Sequence, residues 1–197
     1  MLDDDAIQRL VCEAQAGDVW AFGRLFDHYH LPVYRFIASR IRRPTDAEDL
    51  TQLVFVKALE ALPRYEARGI PFGGWLFRLA RNAVIDFVRT SHEHADLAQS
   101  ADRPNDDLGP DELAVTRQEI DAVGIALATL TDDQRDAITL RFFAGLSARE
   151  AAEVMGKQEG TVRGLQFRAI AALRRQLGID DPEAAAVAAP AERPGTL

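Results

Sequence analysis

Sulfur is scarce in this chain of 197 residues: Cys12 is its one cysteine, beside two methionines. A single thiol excludes an intramolecular disulfide framework and a multi-cysteine zinc site, and it suits a reducing compartment. Lysine is nearly absent, two residues against 21 arginines, a bias that with abundant alanine suits a GC-rich genome. No apolar run approaches the roughly 18 residues that a membrane span needs. The start, Met1-Leu2-Asp3-Asp4-Asp5, is acidic where a secretory signal would be basic, so a cytoplasmic location is expected. Strand-like alternation is missing, as are a phosphate-binding P-loop and a G-x-G-x-x-G turn. No catalytic residue, metal set or cofactor site emerges, and the chain is expected not to be an enzyme. The pairs His28/His30 and His92/His94 have no cysteine near them, and chance His-x-His spacing is the plainer reading.

What is present is a segregation of charge. The overall net charge of −8 hides blocks of −4 over residues 1–19, +4 over 20–91, −6 over 92–113, +1 over 114–178 and −3 over 179–197. Such asymmetry says more about partners than the average does. The stretch 92–113 has no helical period and holds Pro104, Gly109 and Pro110, the composition of a solvated linker. The expected division is an acidic N-terminal segment 1–16, a first domain 17–91, an acidic linker 92–118, a second domain 119–178 and a disordered tail 179–197. The fold class expected is all-α: two small helical bundles joined by a flexible acidic linker.

Helix starts are well marked. Thr45 with Glu48, Thr131 with Gln134, and Ser147 with Glu150 each have capping-box spacing. After Thr45 the pattern places Leu50, Val54, Ala58 and Ala61 on one face, and Pro63 ends the helix. A loop with Gly69, Pro71, Gly73 and Gly74 is expected next, then a helix from Trp75 to Arg89. Ser147 opens a short helix ending at Met155-Gly156, and a second begins near Glu159 or Gly160. Ala152, Gly156 and Val162 fall at helix-turn-helix spacing: a small residue for close approach, a glycine for the turn, a branched apolar residue to lock the pair. The second helix would expose Thr161, Arg163, Gly164, Phe167 and Arg168 to a major groove. The plainer alternative is an αα-hairpin with a solvated basic face.

Between Pro63 and Arg89 aromatics alternate with arginines: Tyr65, Phe72, Trp75 and Phe77 among Arg64, Arg68, Arg78, Arg81 and Arg89. Arginines hold phosphates and aromatic faces stack on unpaired bases, a mixture suited to single-stranded or melted DNA. Core burial of the aromatics is the alternative, and for Phe77 and Phe87 the stronger one.

Taken together, GDVWAFGRLFDHYHLPVYRFIASRI, DAEDLTQLVFVKAL, FGGWLFRLARNAVIDFVR and LTDDQRDAITLRFFAGLSAREAAEVMGKQEGTVR resemble the extracytoplasmic-function (group 4) sigma factors of the bacterial sigma-70 family. The likeness covers roughly residues 17–178. It implies a sigma domain two at 17–91 and a domain four at 119–178, acting in promoter-specific, stress-responsive transcription initiation. By the resemblance, Asp46, Asp49, Gln52 and Phe55 bind core RNA polymerase, whose β and β′ subunits are the expected partners. Arg64, Tyr65, Phe72, Trp75, Arg78, Arg81, Asn82, Asp86 and Arg89 would melt and hold the −10 element. Arg149, Thr161, Arg163, Gly164, Phe167 and Arg168 would read the duplex −35 element. The acidic linker would thread the polymerase channel, and an anti-sigma factor is an expected partner. The chain departs from the family at Leu165-Gln166, where many members carry a basic residue and then leucine, and at Asp86, an acid in place of an amide.

Two rivals stand beside that reading: a stand-alone helix-turn-helix regulator binding duplex operator as a dimer, and a purely protein-binding helical module. In the free chain the apolar surfaces of the two blocks stand either apart or packed together with the DNA faces buried; the sequence permits both.

Overall fold

Asp3 starts the first helix by accepting the backbone N–H of Ala6 at 2.7 Å, and α1 (Asp4–Gln15) follows with Ile7, Leu10 and Val11 turned inward. The structure is a computed structural model that describes residues 2–41, 43–67, 70–95 and 126–177, the last four residues before 96 as backbone alone. The expected linker beyond Ala95, the tail from 179, Arg68, Gly69 and the His92 and His94 side chains lie outside the described residues.

Asp18 caps α2 (Val19–Ala38) through the N–H groups of Trp20 and Ala21. Then come α3 (Pro44–Ala61), a 3-10 turn at Leu62–Arg64, and α4 (Phe72–Ala95). In the second bundle, α5 (Asp132–Phe142) and α6 (Ala148–Met155) both begin with a complete capping box, Thr131 with Gln134 and Ser147 with Glu150. The last described helix is α7 (Glu159–Leu177). No strand occurs among the described residues, in accord with the all-α expectation.

Three starts and ends differ from the sequence reading. The expected acidic N-terminal segment 1–16 holds α1, which packs on α2, and Gln15 Nε2 donates to the Leu62 and Tyr65 carbonyls at 2.9 and 2.8 Å. Helix α3 starts at Pro44, so Thr45 and Glu48 both sit inside the helix and form no capping box; proline suits its first position because its missing N–H has no partner to lose. Helix α4 begins at Phe72, takes in Gly73 and Gly74, and runs through Ala95 into the expected linker.

One apolar cluster spans both bundles. Val11, Leu25, Val33, Phe36, Val54, Leu76 and Phe77 belong to it, and so do Leu140, Ala151, Val154 and Met155. A smaller cluster of Leu127, Leu130, Ile138 and Ala169 lies in the second bundle alone. Burial at this density contributes about 1.5–3 kcal/mol for each large side chain, and the second bundle shares part of its apolar packing with the first.

Candidate nucleic-acid interface

The outward face of α3 follows from its inward one. Ala47, Leu50, Thr51, Val54 and Ala58 are buried, and Thr51 satisfies its hydroxyl on the Ala47 carbonyl at 2.7 Å. Asp49 and Gln52 are left exposed, with Asp46 half-buried beside Arg43 at 3.7 Å. Phe55 corrects the sequence reading. It is 5% exposed, its ring 4.7 Å from that of Phe26, so it belongs to the core and not to the surface. Leu53 and Val56 are exposed on the face of Asp49 and Gln52, a pair that sequence reasoning missed although the i, i+4, i+7 spacing from Asp49 marks it.

At the start of α4 the aromatics divide into wall and platform. Phe72 is 2% exposed and Tyr65 is buried, its hydroxyl donating to the Ile70 carbonyl at 3.2 Å. Neither offers a face to a base, which corrects their expected role. Their rings stand 5.4 and 4.9 Å from that of the half-exposed Trp75, and they hold it in place from below. Tyr29 packs on Phe72 with ring centroids 5.6 Å apart, and burial raises the phenol pKa of both Tyr29 and Tyr65. Further along α4, Asn82 and Asp86 lie exposed one turn apart, and Asp86 pairs with Arg89 at 3.2 Å. Arg64 is exposed on the 3-10 turn.

The helix-turn-helix expectation holds in detail. Gly156 closes α6 in the left-handed region with φ 64°, and Ala152, Val162 and Leu165 are buried where the helices meet. Thr161, Arg163, Phe167 and Arg168 are exposed on α7, with Gly164 half-exposed between them and Arg149 exposed on α6. Glu159 fixes Arg163 through a pair at 2.6 Å one turn away. Gln166 is not presented outward: it accepts from Arg141 Nε at 3.2 Å, while another nitrogen of that guanidinium donates to the Leu146 carbonyl.

The two bundles meet across charged groups that no sequence pattern announces. Asp136 on α5 is buried; its Oδ1 accepts from Arg40 Nη2 at 2.7 Å and its Oδ2 from Arg81 Nε at 2.9 Å. Burial pushes the Asp136 carboxyl up from its ordinary pKa, and the two arginines pull it partly back. Arg40 also donates to the Asp132 carbonyl, and Arg78 Nη2 donates to the Glu153 carbonyl at 3.2 Å. Arg78 and Arg81, both expected on DNA, therefore face the second bundle here.

His28 meets the Tyr29 ring edge-on with centroids 4.7 Å apart, and His30 lies tilted against Phe26 at 4.8 Å. No helix among the described residues is long and apolar enough to cross a membrane.

Comparison with known proteins gives two family matches in order. The family Sigma-70 region 2 matches residues 25–94, and Sigma-70, region 4 matches residues 126–175. The chain is 37% identical over 180 residues to the ECF RNA polymerase sigma factor BldN of Streptomyces coelicolor, covering 90% of this chain and 68% of that one. It is 37% identical over 186 residues to the ECF RNA polymerase sigma factor ShbA of Streptomyces griseus, covering 88% and 97%. Among solved structures it is similar to CnrH in complex with the cytosolic domain of CnrY, with TM-score 0.68, 30% identity, and coverage of 91% and 100%. It is also similar to the sigma factor RpoE in complex with the anti-sigma factor NepR from Bartonella quintana, with TM-score 0.69, 25% identity, and coverage of 83% and 100%.

Proposed function

The chain belongs to the ECF RNA polymerase sigma factors of the sigma-70 family, and from that premise we propose how its exposed faces divide the work of promoter-specific initiation. A sigma factor binds core RNA polymerase and directs it to promoters; it catalyses nothing itself. Here the acidic and amide face of α3, Asp46, Asp49 and Gln52 with Leu53 and Val56 beside them, takes the polymerase. Its charge suits a basic helical partner and its apolar pair supplies the contact area.

The start and outer face of α4 take the −10 element. Trp75 is the stacking platform, Asn82 and Asp86 meet base edges, and Arg64, Arg78, Arg81 and Arg89 hold phosphate. Helix α7 enters the duplex −35 major groove with Thr161, Arg163, Gly164, Phe167 and Arg168, and Arg149 of α6 meets the backbone. Domain four captures duplex DNA, and domain two opens the DNA by trapping unpaired bases. The domain limits 17–91 and 119–178, the group 4 placement and a cytoplasmic site of action go with this reading. So does an anti-sigma partner, in keeping with the complex of Bartonella quintana RpoE.

The observation that carries the reading is positional. The residues that the resemblance assigns to polymerase and to DNA stand mainly on the outward sides of helices whose inward sides are core, on α3, α4 and α7. The test is co-elution of the full chain with core RNA polymerase, with an Asp49→Arg, Gln52→Ala double variant alongside. Binding by the parent and loss in the variant are expected. Equal binding by both would remove α3 from the interface, and duplex binding by the chain alone as a symmetric dimer would favour a stand-alone regulator.

A further inference from the structure

Among the described residues Asp136 is the one buried acid, and nothing on its own bundle pairs with it. Its two oxygens go to two arginines of the other bundle: Arg40, just past the end of α2, and Arg81, on α4. We propose that Arg40 and Arg81 form a cradle for a DNA phosphate on domain two, and that Asp136 occupies this cradle from domain four when no DNA is bound. The proposal rests on the reading of α4 as a DNA surface.

Three observations carry it. A carboxylate bridging two guanidinium groups presents oxygens as a phosphodiester does, and arginine forks suit both anions. Two cations converging on one point need an anion between them, so when domain four moves away the vacated place is an anion site by charge alone. The side chain of Arg40 is 11% exposed and its Nε has no acceptor, a donor beyond what the carboxylate satisfies and within the reach of a phosphate with more oxygens. A buried ion pair is in itself poor value for stability, since matched apolar groups often do as well. A cradle that must also serve DNA explains why charge is kept here. Arg40 was not among the residues that the sequence pointed to.

The same guanidinium edges cannot hold Asp136 and a phosphate together, so the closed chain and a filled cradle exclude each other. Arg78 is withheld in the same way, through the Glu153 carbonyl.

The experiment uses the full chain, with dyes on Cys12 and on an Arg175→Cys variant to report opening by energy transfer. The ligand probe is a 30-nucleotide single strand of mixed sequence. Asp136→Asn and Asp136→Arg should both lower transfer while keeping the helical circular dichroism of the parent. Each opened variant should bind the strand with a steeper dependence on salt, by about 0.7 in log–log slope for the one phosphate held. Adding Arg40→Gln in the same background should remove about half of that gain.

Opened variants whose slope ignores Arg40→Gln would reduce the pair to a strut between bundles and overturn the cradle. Should Trp75→Ala weaken binding in that case, the DNA reading of α4 survives and the cradle alone falls. Should Trp75→Ala also do nothing, both fall. If neither Asp136 variant opens the chain, Asp136 does not hold it closed and the proposal fails.

Discussion

A Cβ added to Gly73 would lie 3.0 Å from the hydroxyl oxygen of Tyr29, so the first turn of α4 crosses that phenol more closely than an ordinary side chain would permit without a shift. The glycine is there for approach. Gly73→Ala should overpack this crossing at a cost of about 1–3 kcal/mol, offset by up to about 1 kcal/mol of better helix propensity. A net loss near 1 kcal/mol is expected in urea melts. It should shrink in a Tyr29→Phe background, where the nearest atom is gone. Equal stability of Gly73→Ala and parent would mean that the start of α4 shifts freely.

Tyr29 also sets an alkaline limit. Burial raises its phenol above the ordinary pKa of 10.0, so as pH rises the unfolded chain gives up that proton first. The stability that the buried neutral phenol contributes is intact below pH 10.0 and is lost as pH climbs beyond it, at up to about 1.4 kcal/mol per unit. Tyr65 is shifted the same way and adds to the slope. Melting curves of Tyr29→Phe should fall less steeply above pH 10.0 than those of the parent; matching slopes would contradict the burial.

Two glycines of the helix-turn-helix should respond with opposite signs. Gly156 has φ 64° and open space around its Cβ position, so Gly156→Ala meets strain in the backbone alone, about 1–2 kcal/mol, with Gly156→Asn milder. Gly160 is helical and its Cβ position is open too. Gly160→Ala should stabilise by about 0.4–1 kcal/mol. Urea midpoints of the three variants check the order.

At the promoter, Trp75→Ala should impair opening more than capture. The ring rests on Tyr65 and Phe72, and its removal deletes the platform while leaving α7 untouched. Permanganate reactivity of −10 thymines should drop several-fold, with closed-complex retention little changed, since stacking on an aromatic is worth about 1–3 kcal/mol per base. Undiminished thymine reactivity would remove Trp75 from the melting step.

Reading −35 DNA should depend on α7. Arg163→Ala with Arg168→Ala should reduce transcription from the target promoter by tenfold or more, as each arginine contact with a guanine edge is worth about 1–3 kcal/mol. Unchanged transcript levels would remove α7 from recognition.

What the sequence made legible was local. The helix-turn-helix could be bounded because Ser147, Glu150 and Gly156 each act within a few residues, as do Thr131 and Gln134. Where a local signal had two meanings the reading slipped. Gly73 and Gly74 look like loop, yet here a glycine serves a close crossing with Tyr29, 44 positions earlier in the chain. Thr45 looks like a cap, yet Pro44 had already begun the helix. Phe55 and Phe72 are themselves functional candidates by the sequence, but only packing against Phe26 and Tyr29 shows that they face inward. Asp136 was beyond reach for the same reason: its partners lie 55 and 96 residues away.

The apolar cluster that runs through both bundles carries a cost for whatever opens the chain. Helix α6 lies against α4, and its Ala151, Val154 and Met155 share one cluster with Leu76, Phe77 and Ala80. Parting the bundles strips cover from a greasy seam as well as from charges, so opening has to offset the exposure of apolar surface to water. The shut form thus hides its own greasy seam, each bundle serving as the other's cover.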